Sequence, residues 1–101
     1  MNLIRRTTPI FELPLDFDPT LIEVLFITFV QNGKIVFEKS LAECEVMSES
    51  IEVKLSQEDT LKFKAGSILT VQARARLKDG TAIASDRMNV DVHIVDKDGV
   101  I

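Results

Sequence analysis

SILTVQARARLKDGTAIASDRMNVDVHI, residues 67–94, decides how this chain is read. Apolar and polar side chains alternate through its first half. Leu69, Val71, Ala73, Ala75 and Leu77 share one parity, and Gln72, Arg74 and Arg76 share the other. A period of two marks a strand with one buried face, because successive side chains on extended backbone leave opposite sides. Asp79-Gly80 then reverses the chain, since that dipeptide suits the two-residue hairpin turns that need positive φ. Such a turn sets the register: Leu77 against Ala82, Ala75 against Ala84, Val71 against Met88 and Leu69 against Val90. Met88, Val90, Val92 and Ile94 carry the inward face onward. One residue resists, because this register puts Asp86 on the apolar parity opposite Ala73. An unpaired carboxylate is costly to bury. A bulge or break over residues 85–87, or a rim position, is therefore expected to let Asp86 reach water.

The same beat runs upstream. In IEVKL (51–55), Ile51, Val53 and Leu55 face in while Glu52 and Lys54 face out. PIFELPL (9–15) sets Phe11, Leu13 and Leu15 against Ile10, Glu12 and Pro14, and its two prolines cannot donate to a ladder, which predicts an edge strand. DFDPT (16–20) reads as a turn opened by Pro19. IEVLFITFVQ (22–31) is apolar on both parities and rich in β-branched and aromatic residues. It predicts a central strand covered on both sides for much of its length. Asn32-Gly33 favours a type I′ hairpin, and the returning KIVFEK is expected to put Ile35 and Phe37 on one face and Val36 on the other. ECEVM (43–47) is a weaker strand, followed by the polar turn SES.

LSQEDTLKFKAG (55–66) breaks the rhythm. Ser56 can cap a short helical turn with Asp59 in the capping-box position; Leu61 and Phe63 would point into the core, and Gly66 would end the turn. A corner is favoured over a binding loop: the segment carries the chain from one sheet to the other before the penultimate strand. About seven strands with frequent turns predict an all-β fold, an immunoglobulin-like antiparallel β-sandwich with one short helical turn near 56–63. The 101 residues read as a single domain, 1–101.

Composition agrees. An apolar fraction of 46% supports a core, and in the absence of Trp and Tyr the aromatic volume is expected from Phe11, Phe26, Phe29, Phe37 and Phe63. The net charge of −4 lacks the basic footprint of nucleic-acid binding. Cys44 is the sole cysteine, so no intramolecular disulfide can form; the thiol suits a reducing compartment or indifference to redox state. The N-terminal residues lack a secretory apolar stretch, and no run is long enough to span a bilayer, so folding in the cytoplasm is expected.

Chemical constellations are missing. His93 falls on the outward parity without a partner in sequence. Cys44 lies between Glu43 and Glu45, which would raise a thiol's pKa rather than activate it. Glu43, Glu45, Glu49 and Glu52 lack the spacing and glycine of a calcium loop and read as a solvated face. Neither an enzyme nor a cofactor, metal or small-molecule substrate is expected. The register above does place Arg76 beside Ile83, Arg74 beside Ser85 and Gln72 beside Arg87 on one face. Gln72, Arg74, Arg76, Ile83 and Arg87 thus form a candidate surface for docking an acidic partner. On the opposite parity Ala73, Ala75, Ala82 and Ala84 allow close approach, either of the second sheet or of another protein.

Three blocks carry a family resemblance: IRRTTPIFELP (4–14), LSQEDTLKFKAG (55–66) and VQARARLKDGTAIASD (71–86) with the closing KDGVI. On these blocks the chain resembles small proteins encoded in tailed phages and prophages of Gram-positive bacteria. It is similar to the N-terminal sandwich domain of phage baseplate upper proteins. The resemblance implies a virion structural or assembly component of tail or baseplate, made in the bacterial host cytoplasm and incorporated in the virion. Its implied partners are other phage structural proteins, docked through sheet edges or the arginine-bearing face, with homo-oligomerisation because particles use symmetric copies. No stalk or receptor-binding segment follows Ile101 in this sequence, so a direct adsorption role is not expected. A stand-alone glycan- or peptide-binding module is the alternative, although the lack of Trp and Tyr counts against sugars.

Overall fold

The computed structural model describes residues 2–4, 7–85 and 87–93. Nine strands appear among them: β1 (Asn2–Ile4), β2 (Ile10–Pro14), β3 (Ile22–Gln31), β4 (Lys34–Ser40), β5 (Cys44–Val46), β6 (Ser50–Lys54), β7 (Ile68–Leu77), β8 (Ala82–Ala84) and β9 (Met88–His93). One short helix, α1 (Gln57–Leu61), joins β6 to β7. The larger sheet has the order β1-β9-β7-β3-β4 with β8 also on β7, and the smaller has the order β2-β6-β5. Every pairing is antiparallel except β1 with β9. The all-β reading holds. The count exceeds the expected seven or so because β1 adds a short strand and because residues 82–93 divide into β8 and β9.

Both sheets turn one apolar face to a common core. Leu25, Ile27 and Phe29 of β3, Leu69 and Val71 of β7, and Val90 and Val92 of β9 pack with Phe11, Leu13, Ile51, Val53, Leu55 and Phe63. The alternation read in 51–55 and 67–77 is the alternation found. At the centre Phe29 meets Phe37 at 4.7 Å between ring centroids, Phe11 edge-on at 5.8 Å and Phe63 at 6.0 Å. As expected, β2 is an edge strand, paired among the described residues with β6 alone.

Single-residue slips correct the rest. In β3 only one parity is buried, and a register shift between Ile22 and Val24 lets Ile22 and Leu25 both face inward. The other parity looks outward, because no described layer covers it, and Phe26 is 46% exposed rather than part of the core. Between β3 and β4, Val30 opposes Ile35 but Phe29 opposes Phe37, which leaves Val36 as the extra residue of a bulge. Ile35 and Phe37 therefore do not share a face: Phe37 turns in onto Phe29, whereas Ile35 is 62% exposed.

The two reversals differ in kind. At Asn32-Gly33 both residues have positive φ, 52° and 74°, as a type I′ turn needs. At Asp79-Gly80 only the glycine does, with φ 91°. Leu77 N–H donates to Thr81 O at 2.8 Å and Gly80 N–H to Leu77 O at 2.9 Å, closing a three-residue loop. Asp79 braces it by accepting the Thr81 N–H at 2.9 Å. The added loop residue moves β8 by one position, so Ala75 opposes Ile83 and Arg76 opposes Ala82. Ala82 and Ala84 accordingly leave the inward parity, contrary to expectation. By β9 the expected register has returned, with Val71 opposite Met88 and Leu69 opposite Val90. The pairing offset thus changes by one between Ala84 and Met88. Ser85 donates its N–H to Ala73 O (2.9 Å) and accepts the Ala73 N–H on its hydroxyl oxygen (3.0 Å). Asp86 and Ile94 lie outside the described residues.

The odd segment is a capped crossover from the small sheet to the large one. Ser56 Oγ accepts the Asp59 N–H and Asp59 Oδ2 accepts the Ser56 N–H, both at 3.0 Å. Phe63 is fully buried, Leu61 half-buried, and Gly66 sits at φ 81°. Thr60, also buried, shares its hydroxyl proton between Gln57 O and Thr7 O, each 3.1 Å away. Lys39 of β4 reaches Asp59 at 3.0 Å and Glu43 at 3.4 Å, tying the crossover to the large sheet. Burial pushes the Asp59 carboxyl up, but the Ser56 N–H and the Lys39 ammonium outweigh it and hold the group below its ordinary value. A depressed carboxyl contributes stability above its unfolded pKa, near pH 4, and loses it as pH falls through the folded value. Ser56→Ala should cost about 1 kcal/mol in urea denaturation at neutral pH. Asp59→Asn should flatten the acid limb of melting temperature against pH; an unchanged limb would mean that other carboxylates govern it.

Candidate protein-docking surface

Cross-strand register builds the outer face of the large sheet in rows. One row reads Ser40, Phe26, Arg74, Ala84 from β4 through β3 and β7 to β8. The next reads Glu38, Thr28, Gln72, and the one beyond it Ile35, Val30, Thr70, Asn89. Three large apolar side chains stand out in water here: Ile35 (62% exposed), Ile68 (57%) and Phe26 (46%). Polar groups frame them. Thr28 Oγ1 donates to Glu38 at 3.1 Å, Arg76 pairs with Glu23 at 3.3 Å, and Gln72 Nε2 donates to Ser85 O at 2.9 Å. Arg74 has no hydrogen bond or ion pair with any described residue.

Gln72, Arg74 and Arg76 therefore share the outer face as expected, but the structure separates the other two candidates from them. Ile83, displaced by the three-residue loop, opposes Ala75 and lines a cleft on the inner side. Arg87 is exposed in the break between β8 and β9, outside both strands. The apolar half of the surface went unread. Its signal is the two-sided apolar character of β3: one parity packs inward and the other faces out, not into a second layer.

The cleft, of about 540 Å³, opens where the sheets part at the β2–β3 turn. Ile22, Ala73, Ala75 and Ile83 of the large sheet line it together with Leu15 and Phe17 of the β2–β3 turn, and Asp16 sits among the lining residues. Alanines are too small to fill the gap, so the second sheet does not close over this end.

Other candidates bring no chemistry together. Glu12, Glu52 and Glu45 stand in one row across the small sheet, yet among the described residues no group of three metal-binding side chains can hold an ion. Burial pushes the Cys44 thiol up, and Glu43 adds to the effect against a smaller pull from Lys39. His93 is exposed at the end of β9, in the opposite sheet from Cys44. Among the described residues no helix is long and apolar enough to cross a membrane.

The outer strands are poor templates for another chain. β1 and β5 have three residues each, β2 is bounded by Pro9 and Pro14, and β4 carries the bulge at Val36. Short strands, prolines and bulges each frustrate edge-to-edge pairing. Fold and surface together define a two-sheet β domain whose distinctive feature is a broad, mixed apolar and charged face. Compared with protein-family models, curated proteins and solved structures, the chain matches none.

Proposed function

We propose that this chain is a phage-derived virion structural or assembly protein, associated with tail or baseplate, that docks on other structural proteins through the outer face of its large sheet. The observation that carries the docking reading is the exposure of Phe26, Ile35 and Ile68 around Arg74, which has no hydrogen bond or ion pair with any described residue. Exposed apolar groups on a polar frame are what protein interfaces are made of. Blunted outer strands favour the face over the edges. The phage assignment is supported by the three sequence blocks that resemble baseplate proteins. An immunoglobulin-like topology is supported by strand order: β9-β7-β3-β4 corresponds to G-F-C-C′ and β2-β6-β5 to B-E-D. In this reading the protein catalyses nothing and takes no cofactor.

Peptide mass spectrometry of purified particles, with cross-linking to the products of neighbouring genes, tests the proposal. Stoichiometric recovery in particles, with cross-links from Phe26 or Arg74 segments, is the expected result. Absence from particles and from every neighbouring product would end it. The cleft favours a second reading, a stand-alone peptide-binding module, because its apolar lining suits a side-chain anchor and not a sugar. Amide shifts confined to Ala75, Ile83 and Phe17 on titration with peptides would support that reading instead.

A further inference from the structure

The outer face of the large sheet is self-complementary, and the geometry points to a second copy of this chain as its occupant. This rests on reading that face as a docking surface, and it names the partner. The flanks differ: β7 contributes Arg74 on one side of the β3 row, and β4 contributes Glu38 on the other. A two-fold axis running along β3 lays the β7 flank of each copy over the β4 flank of its mate. Phe26 then meets Phe26 and Val30 meets Val30. Arg74 comes to rest opposite Ser40 of the other copy, one row from its Glu38, while Ile35 lies opposite Thr70 and one row from Ile68. The central apolar pairs thus meet each other, and Arg74, without an ion pair to any described residue, comes within one row of a carboxylate, twice over by symmetry. Size also fits. Two ten-residue strands, β3 and β7, with their flanking strands present a face of roughly 30 by 20 Å, about 600 Å² per copy. That gives roughly 1,200 Å² for the pair, the lower bound of a standard specific interface. The association is therefore expected to be reversible, at micromolar strength.

Sedimentation equilibrium of the full chain and of two exposed charge variants tests this. Wild type should run as a dimer, and Arg74→Glu and Glu38→Arg should each weaken dimerisation about ten-fold or more by facing like charges across the interface. The decisive arm is the 1:1 mixture of those variants. In the mixed dimer Glu at 74 faces Arg at 38, and Arg74 of the second variant faces Glu38 of the first, so affinity should return to within about three-fold of wild type. Circular dichroism melts check that each variant folds. Ile68→Lys, at the far end of the face, supplies an independent disruption if either does not. A chain that stays monomeric at millimolar concentration overturns the inference, as does a dimer indifferent to all three changes or a mixture no tighter than its components. A monomer that nonetheless enters particles would sink this inference and leave the docking proposal standing. A dimer missing from particles would do the reverse.

Discussion

Phe29→Ala is expected to remove about 3–5 kcal/mol of stability, the cost of deleting a fully enclosed aromatic ring. Phe29 has no exposed surface and touches three other rings, with centroids at 4.7, 5.8 and 6.0 Å. Together the four rings come from four regions: Phe11 on β2, Phe29 on β3, Phe37 on β4, and Phe63 just after α1. Removing the central one opens a cavity that β-sheet walls cannot collapse to fill, since ladder hydrogen bonds hold the backbones apart. A domain of this size has a total stability of about 5–15 kcal/mol, so the variant should be partly unfolded in urea concentrations that leave wild type intact. Phe26→Ala is the matched control. It removes the same ring from an exposed site, and a loss below about 1 kcal/mol is expected. Equal losses for the two would refute the assignment of Phe26 to the surface.

Gln31→Leu is expected to cost about 2–3 kcal/mol although leucine is similar in size and more apolar. The Gln31 side chain is buried at the end of β3 and acts as a clamp on the crossover. Its amide nitrogen donates to Lys64 O at 2.9 Å and Ser67 O at 3.2 Å, and its carbonyl oxygen accepts the Lys64 N–H at 2.8 Å. Leucine would leave three backbone groups without their partner, and the cost of orphaned polar groups outweighs the gain in apolar contact. The effect should be local as well as global. Hydrogen exchange at Lys64 should speed up far more than exchange in β7, and protease cleavage should appear within residues 62–67. A loss under about 0.5 kcal/mol would show that water takes over these bonds freely and that the crossover is held by Phe63 and Thr60 instead.

The residues around these sites show how much was legible beforehand. The capped turn was readable from Ser56, Asp59 and Gly66, because capping involves groups three or four positions apart in the chain. The buried parities of β6 and β7 were readable for a similar reason: side-chain alternation is a property of the extended backbone itself. Gln31 gave no signal. A glutamine at a strand end looks solvent-facing until the loop that it clamps is brought to it by a crossover 33 residues later. The docking surface was half legible. Arg74 and Arg76 were placed on the correct face by parity, but Ile83 was misplaced by one turn residue, and Phe26 was assigned to a core on the strength of its apolar neighbours.

Chain-local chemistry was therefore enough to establish an all-β fold, its reversals at Asn32-Gly33 and Asp79-Gly80, the capped corner, and the inward faces of β6, β7 and β9. Those features depend on contacts between near neighbours along the backbone. Three-dimensional packing alone assigned the three-residue form of the second reversal, the outward turn of Ile35 at the bulge, the parallel docking of β1 on β9 and the exposure of Phe26. These depend on a slip of one residue, which flips a side chain from one face to the other, on whether a second layer lies above a given sheet, or, for β1, on pairing between segments about ninety residues apart.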